Sequence, residues 1–338
     1  YAKRGTTATF DYNDSSQSFL IVNDFGTIDM DASSVGDEWN SGEELTVTLL
    51  DQDLNMNTGS GEDLLIHNTT RTHLIPTLQI GNPISIIQNT TLDYKAGLAA
   101  NAHRGLGTIS QVANYSNIGY WVNATLITTV GNSVNYTIQP GWTGTDIAAL
   151  GTATNIYFNW DMSSFTNTTN TMVGVCLIEQ GTDESHACAT SATGIEKITG
   201  VDGLNSAEMY IDVKTLQNNG ASTTSQANIV ATGDYPVIAD VFSFGAGENN
   251  AIYRLLLEES GDNTGEFVGG IEYVMLNQIN INADGTYTDL STVSDSIDII
   301  IEQDMTDEDS PRVNYFDLGA DGVSTQIADQ LEAPTHSG

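Results

Sequence analysis

The stretch LTVTLLDQDLNMNTGSGEDLL, Leu45 to Leu65, joins a strand-like run to a loop rich in acids and amides. Its first five residues alternate between apolar side chains and Thr, which is the period of a β-strand with one buried face. Carboxylates and amides follow directly, at Asp51, Asp53, Asn55, Asn57, Glu62 and Asp63. The stretch therefore predicts a strand that ends in an Asp-rich loop.

That loop has two interpretations. Counted from Asp51, oxygen-bearing side chains stand at the first, third, fifth, seventh and twelfth positions, which is the ligand spacing of a 12-residue calcium loop. Met56 stands where an EF-hand needs Gly, and strands rather than helices flank the loop, so it is not an EF-hand. The other interpretation is an Asx-rich turn whose side chains bond their own backbone. On the first interpretation, the ligands of Ca²⁺ or another structural divalent cation are Asp51, Asp53, Asn55, Asn57 and Glu62.

A second acidic turn lies in LLLEESGDNTGEFVGGIEY, Leu255 to Tyr273. It offers Glu258, Glu259 and further acids around SGDNTG, which is good hairpin chemistry without any metal. The later stretch EQDMTDEDSPRVNYFDLGADG is dense enough in acids to attract cations loosely or to stay extended by self-repulsion.

Strand patterns recur along most of the chain. Short runs rich in Val, Ile, Thr, Tyr and Phe are separated by Gly, Asn and Asp turns, and the chain has 32 Gly but only six Pro. Only TLDYKAGLAANA, Thr91 to Ala102, predicts a helix. The pattern favours sandwich-type β modules over α/β units. The clearest strand runs are SFLIV, LTVTLL, NIYFNW, PVIADVFSF, YRLLLEE, FVGGIEYVM and SIDIII.

The charge is strongly acidic, with 44 acids against 9 bases and a net charge of −35. A nucleic-acid binder needs a basic face that displaces phosphate counterions, so this class is excluded, and anionic membrane surfaces are disfavoured for the same reason. The longest apolar runs, such as Ile297 to Ile301, are far shorter than the roughly 18 residues of a membrane-spanning helix. No membrane span is predicted.

The acids are unevenly distributed. Residues 1–63 hold 13 acids and 2 bases, residues 168–338 hold 28 acids and 4 bases, and residues 64–167 hold three of each. This neutral block also contains six of the seven N-x-S/T sequons. They predict N-glycosylation of several sites, with chance sequons in an Asn- and Thr-rich chain as the alternative. The six are Asn68, Asn89, Asn114, Asn123, Asn135 and Asn167, and strand alternation puts Asn123 and Asn135 on outward faces.

The two cysteines are Cys176 and Cys188. Strand-like MVGVCLIE leads into the polar turn QGTDESH, so the two thiols are expected to face each other across a hairpin and to form a disulfide. Two free buried thiols are the alternative. The chain begins at Tyr1 without a signal-peptide pattern, so we expect either that a signal peptide has been removed or that the chain is part of a longer protein.

Three stretches resemble the surface-layer (S-layer) proteins of ammonia-oxidising archaea. They are GEELTVTLLDQDLN, YRLLLEESGDNTGEFVGGIEYVMLNQINI and TDEDSPRVNYFDLGADGVSTQIADQLEAPTHSG, within residues 30–68 and 250–338. Those proteins are long, acidic, secreted chains of repeated immunoglobulin-like modules. The resemblance implies a module that opens with a D-x-D-x-N strand end, here at Asp51, and closes with an E-x-G-x-N-T-G-x-F hairpin, here at Glu259.

The predicted fold is all-β, with multiple immunoglobulin-like β-sandwich modules, one of which carries a large β-rich insertion. An ordinary module of this kind has about 100 residues, whereas Asp51 and Glu259 lie much further apart, so the neutral block is expected to be inserted. The predicted divisions are 1–30, terminal strands of a preceding module; 31–67 plus 230–303, the immunoglobulin-like sandwich with the Asp-rich loop; 68–229, the inserted sequon-rich module; and 304–338, an acidic linker and the start of a following module.

The resemblance implies a structural subunit of an extracellular S-layer lattice. Its expected partners are further copies in a two-dimensional lattice, N-linked glycans, divalent cations and ammonium, because carboxylate-lined pores concentrate cations and these cells consume ammonium. No G-x-S-x-G elbow, P-loop or dinucleotide glycine motif is present, and no enzyme is predicted. The alternatives are an adhesin that stacks sugars on Trp121, Trp142 and Trp160, a pilus or thread subunit that exchanges a strand near Thr7 to Phe10, and, less favoured, a carbohydrate-active exoenzyme.

Overall fold

The fold is that of a computed structural model, and its β-strands account for nearly all of the regular structure described. The described residues are 6–21, 25–36, 39–65, 75–85, 91–96, 109–111, 121–125, 134–140, 142–150, 155–163, 171–179, 184–200, 208–216, 234–245, 248–275, 291–301, 311–318, 324–330 and 335–336.

In chain order the elements are β1 (Thr6–Tyr12), β2 (Ser15–Ile21), β3 (Thr27–Met30), a 3₁₀ turn (Ala32–Ser34), β4 (Trp39–Asn40), β5 (Leu45–Leu50), β6 (Thr77–Ile80), β7 (Ile84–Ser85), β8 (Thr91–Ala96), β9 (Ile109–Gln111), β10 (Trp121–Thr125), β11 (Val134–Gln139), α1 (Gly144–Ala149), β12 (Asn155–Asp161), β13 (Thr171–Glu179), β14 (Ser185–Ala189), β15 (Thr193–Lys197), β16 (Met209–Leu216), β17 (Asp234–Gly245), β18 (Glu248–Leu255), β19 (Glu258–Glu259), β20 (Glu266–Met275), β21 (Val293–Ser294), β22 (Ser296–Ile301), β23 (Arg312–Leu318), β24 (Ser324–Gln330) and β25 (Thr335–His336).

A five-stranded sheet contains the strand that precedes the Asp-rich loop. β5 buries Leu45, Val47 and Leu49 completely, while Thr46 and Thr48 on its other face are half-buried. It pairs antiparallel with β3 on one side and with β20 on the other. The far edge of β20 pairs antiparallel with β19 and parallel with β22. The alternation in LTVTLL therefore has the structural role predicted from it.

An eleven-stranded sheet runs in the order β15-β12-β17-β18-β6-β23-β24, with further strands attached to β17, β18 and β10. β12 and β17 are buried along almost their whole described length, because the sheet is covered on both faces at these strands. Tyr157 belongs to the main core, whereas its neighbour Phe158 lies on the opposite face, with its ring 6.3 Å from that of Trp142. The run IYFNW, which is apolar at four of its five positions, is typical of such a strand.

A second five-stranded sheet has the order β14-β13-β16-β11-β8. The helix predicted over 91–102 is wrong for Thr91 to Ala96, which form the edge strand β8 and pair in register with β11, and the rest of that stretch lies outside the described residues. Pairing with a neighbouring strand outweighs a weak local helix propensity. The helix α1 was not predicted, although Thr143 and Asp146 form a capping box at its start.

One hydrophobic core joins strands that are far apart in sequence. It runs from Ile28 in β3 to Tyr315 in β23 and includes side chains of the first five-stranded sheet and of the eleven-stranded sheet. In the described residues the fold is thus all-β, as predicted, with several mainly antiparallel sheets and almost no helix. The immunoglobulin-like identity of the modules stays a prediction.

The predicted divisions also stay predictions, and the sheets cross their boundaries. β6 and β12, from the predicted insertion, share a sheet with β17 and β18. β23, from the predicted linker and following module, pairs with β6 in that same sheet.

Candidate metal centre

The Asp-rich loop packs against the second acidic turn. We call this contact the acidic seam, formed by residues 51–64 and 257–266. Its backbone hydrogen bonds run from Asp51 N to Gly265 O at 2.8 Å, from Glu259 N to Glu62 O at 2.8 Å and from Leu64 N to Leu257 O at 3.0 Å. Two of the three stretches that carry the resemblance, over two hundred residues apart in sequence, therefore lie side by side.

Within the loop, the predicted cation ligands mostly bond their own backbone. Asp51 Oδ1 accepts the Asp53 N–H at 2.8 Å, Asn57 Oδ1 accepts the Gly59 N–H at 3.2 Å, and Glu62 Oε2 accepts the Met56 N–H at 2.6 Å. The first two contacts are Asx-turns, which the second interpretation of the loop predicts.

The five predicted ligands do not form a carboxylate cage. Within the described ranges, no three or more His, Cys, Asp or Glu side chains are placed to hold one metal ion, and these ranges include Asp51, Asp53 and Glu62. Asp53 and Asn57 are exposed, Asn55 and Glu62 are half-buried, and Asp51 is buried. The calcium loop with this set of ligands stays a prediction.

Asp51 turns inward rather than toward the rest of the loop. Its Oδ2 accepts a short hydrogen bond from the hydroxyl of Tyr315, and Asp317, also buried, lies close enough to act on it electrostatically. Burial raises the pKa of Asp51 to about 6, and the Asp317 carboxylate adds to this rise. Asp317 is itself held by the Gly26 N–H at 2.7 Å. Residues far apart in sequence thus surround a carboxylate that was predicted to be a cation ligand.

Glu259 of the second acidic turn, which was not among the predicted cation ligands, is a further enclosed carboxylate of the seam. Its side chain is only 9% exposed, and its Oε1 accepts the N–H groups of Gly265 at 2.8 Å and Thr264 at 2.9 Å. These donors, first of all Gly265, lower the pKa of Glu259, which favours the ionised form. Its Oε2 is enclosed, and a backbone hydrogen bond from Glu62, across the seam, also lowers the pKa of this carboxylate. The glycine hairpin E-x-G-x-N-T-G was the only sequence signal for this residue.

Asn55 lies across the seam from the same hairpin. Its Nδ2 donates to Asn263 Oδ1 at 2.9 Å, while its own Oδ1 is enclosed and has no partner among the residues that the structure describes. The seam therefore encloses two side-chain oxygens, Glu259 Oε2 and Asn55 Oδ1.

Most predicted glycosylation sites lie outside the described residues, namely Asn68, Asn89, Asn114 and Asn167. Asn123 lies in β10 opposite Pro236, and Asn135 lies in β11 opposite Lys95 and Lys214. The structure does not describe the side chains of Asn123 and Asn135 either, so glycosylation stays a prediction.

The structure contains a disulfide between Cys176 in β13 and Cys188 in β14. The two residues are directly opposite in the antiparallel hairpin, in the arrangement that the sequence predicts. The neighbouring His186 is buried, and its Nδ1 lies 2.9 Å from Thr199 O.

Two of the three tryptophans in the proposed sugar platform are buried. Trp142 is 2% exposed and Trp160 is 1% exposed, and their indole N–H groups donate to Ser85 O and Ser191 O. The side chain of Trp121 is not among those that the structure describes. Trp142 and Trp160 therefore cannot form an exposed stacking surface, which corrects that prediction.

No helix in the described residues is both long and apolar enough to cross a membrane. No protein-family model matches the chain, and no significant match is found among curated proteins.

Proposed function

We propose that the chain is a structural subunit of a secreted, glycosylated S-layer, in which copies associate into a two-dimensional lattice that covers the cell. Divalent cations lie between the acidic faces, and the sequon-rich block faces outward. The chain has no catalytic role. The resemblance to S-layer proteins supports this function, and the observation that carries it is an exposed aromatic hairpin.

The hairpin consists of β1 and β2, which within the described ranges pair only with each other. Asn13 and Asp14 both have positive φ at its two-residue turn, as a tight hairpin of this kind requires. Phe10 is 67% exposed, Tyr12 85% and Phe19 58%.

The register places the aromatic side chains on one face. Ala8 is opposite Phe19, and the rings of Phe10 and Phe19 meet edge to face with centroids 5.9 Å apart. From Thr9 and Ser18 to the turn the other face is polar, with Thr9 Oγ1 2.9 Å from Ser18 Oγ. A lone hairpin is only marginally stable in water, and exposed aromatic patches mark protein contacts. These features support a contact in which the aromatic face is covered by a second copy.

The charge of −35 supports a need for cations in such an array. Like charges brought together in a lattice repel each other unless counterions neutralise them. Pores lined by the same carboxylates would admit cations, ammonium included, in preference to anions. The Debye length is about 8 Å at physiological salt, so this enrichment acts only over pore-sized distances.

Electron microscopy of the purified chain tests the lattice. We expect ordered sheets with Ca²⁺, loss of order with EDTA, and dispersed particles for the double variant F10S/F19S. The double variant T9A/S18A changes the polar face of the same hairpin and is the matched control, so it should form sheets. Sheets of F10S/F19S that equal those of the unaltered chain would contradict the aromatic contact.

Two further outcomes concern the alternatives. Filaments instead of sheets would favour a pilus or thread subunit, which the free edges of β1 and β2 among the described strands would support through strand exchange.

On assembled sheets, equal partitioning of ammonium and of an anion, before and after carboxyl neutralisation, would contradict the cation-permissive sieve.

A further inference from the structure

We infer that His186 and Glu179 form a binding site for a late first-row transition-metal ion such as Zn²⁺, at the end of the disulfide hairpin of β13 and β14. The two side chains supply one imidazole nitrogen and one carboxylate oxygen, and water completes the coordination shell. The inference goes beyond the proposed function, because it concerns an ion held within one chain and depends neither on the lattice nor on the cations between acidic faces.

A β-bulge brings the two side chains together. Ile178 in β13 is opposite Ser185 in β14 rather than His186, so His186 is the additional residue of β14 at this point. In a regular ladder His186 would be opposite Ile178, and Glu179, the next residue of β13, would point to the other face of the sheet. The bulge instead places His186 Nε2 3.8 Å from Glu179 Oε2. Bulges that re-aim a side chain are over-represented next to functional sites.

The backbone that follows β15 fixes the imidazole of His186. Its Nδ1 lies 2.9 Å from Thr199 O, and because a carbonyl oxygen can only accept, Nδ1 carries the hydrogen. The Thr199 N–H donates to His186 O at 3.0 Å, and Gly200, with a φ of +78°, turns the chain beside the ring. In the neutral side chain, Nε2 therefore carries the lone pair. A histidine that binds metal through one ring nitrogen commonly donates from the other to a backbone carbonyl, as here.

The Nε2 atom needs a positive partner. The His186 side chain is 1% exposed, and its Nε2 is enclosed with no hydrogen-bond partner in the part of the chain that the structure describes. The 3.8 Å to Glu179 is too long for a hydrogen bond, whose donor and acceptor lie about 2.7–3.2 Å apart.

A metal ion fits this gap better than a proton does. Bonds of about 2.0–2.2 Å to one Zn²⁺ put a nitrogen and an oxygen about 3.4 Å apart at a tetrahedral angle. The Glu179 side chain is 20% exposed, so it has room for the small movement that this spacing requires. The same exposure gives an ion from solvent a path to the enclosed nitrogen.

The ligand types select the metal. Imidazole nitrogen suits Zn²⁺, Cu²⁺ and Ni²⁺, whereas Ca²⁺ and Mg²⁺ take oxygen ligands. The described residues contain no group of three His, Cys, Asp or Glu that could hold one ion, so two of them supply ligands and the other positions are open to water. Binding should stabilise the hairpin together with the segment that holds the imidazole, because an ion that binds only the folded chain raises its stability.

Binding of Zn²⁺ to the chelator-stripped chain tests the site, by calorimetry and by the shift of the melting temperature, at fixed ionic strength with Ca²⁺ in excess. Outer-shell partners of a metal are worth about 10–100-fold in affinity, so loss of a direct ligand in H186Q or E179Q should weaken this binding at least about tenfold. Two controls should bind as the unaltered chain does. H336Q removes an imidazole from β25, and E184Q removes an exposed carboxylate from the residue whose backbone O accepts the Glu179 N–H at 3.2 Å.

E179H should recover binding that E179Q loses, because it replaces the carboxylate with a second imidazole. Glu179 is partly exposed, so its variants test the site even where H186Q folds poorly. Equal Zn²⁺ affinity of E179Q and the unaltered chain would overturn the inference and indicate an ion pair between a protonated His186 and Glu179. Equal losses in E179Q and E184Q, or displacement of Zn²⁺ by Ca²⁺, would also overturn it and indicate diffuse attraction by the acidic surface. So would equally weak binding by E179H and E179Q.

Discussion

Asp51 lies where β5 passes into the Asp-rich loop, and its carboxylate is 3% exposed beside Tyr315. Burial moves its pKa from the usual 3.8 to about 6, so the folded chain binds this proton more tightly than the unfolded chain does. Between about pH 4 and pH 6 the folded state therefore holds the additional proton, and the free energy of unfolding falls as the pH rises through this range. The fall amounts to about 3 kcal/mol and is complete above about pH 7.

The variant D51N should remove this pH dependence. In urea unfolding with EDTA, we expect D51N to gain about 3 kcal/mol relative to the unaltered chain as the pH rises from about 4 to 7. The difference between the two chains cancels the titration of other carboxylates, such as Glu259, whose lowered pKa acts in the opposite sense. Parallel pH profiles would mean that Asp51 titrates alike in the folded and unfolded chains.

The same residue shows what spacing alone can predict. The spacing from Asp51 to Glu62 identified an oxygen-rich loop, and the loop lies at the seam where the candidate site is. The direction of each carboxylate depends on partners such as Tyr315, which is 264 residues from Asp51. Neither that contact nor the two donors that hold Glu259 through its own hairpin can be predicted from the local pattern of DQDLNMN.

At the scale of elements, a buried ion pair joins the strands at the centre of the large sheet. Arg254 in β18 and Asp240 in β17 are both fully buried, and Arg254 donates to both oxygens of Asp240. Ser85 in β7 accepts from Arg254 at 3.3 Å, and Asn159 in β12 donates to Asp240 at 3.5 Å. Four strands therefore share one polar network within an apolar surrounding.

Removing one partner should cost more than removing both. R254M leaves the Asp240 carboxylate buried and unpaired, which should lower the free energy of unfolding by about 3–5 kcal/mol. R254M/D240N removes that charge, keeps an acceptor for Asn159 and should recover most of the loss. Chemical denaturation of the single and double variants measures the coupling, and costs that simply add would show that the pair acts as two independent groups.

The elements also differ in how far the sequence determines them. β5, β12 and β20 follow from their own residues, because burial patterns that repeat every two residues or run continuously are local. β8 does not, since its strand conformation comes from pairing with β11. Gly269 in β20 shows the same limit: a Cβ there would lie 2.5 Å from Asp295 O, so the glycine marks a close approach whose partner the sequence does not name.

At the scale of the whole molecule, the distribution of charge along the chain follows from the sequence alone. The way in which strands group into sheets does not. Charge is a sum over residues and needs no knowledge of contacts. The eleven-stranded sheet combines β6, β12, β17, β18 and β23, which come from three of the predicted divisions. Such pairing is set by shared burial in one core, from Ile28 to Tyr315, and no local composition reveals it.

Raising the salt concentration should distinguish the electrostatic repulsion between copies from the apolar contact through the aromatic hairpin. With 44 acids and 9 bases, ion pairs between copies are few, and repulsion is the main electrostatic term. Raising NaCl from about 0.01 M to 1 M shortens the Debye length from about 30 Å to 3 Å, so repulsion is screened while the contact through Phe10 and Phe19 is not weakened. Without divalent cations, we therefore expect sedimentation to show stronger self-association at high salt, and F10S/F19S to stay dispersed throughout. Association that weakens with salt would mean that ion pairs, rather than the aromatic hairpin, hold the copies together.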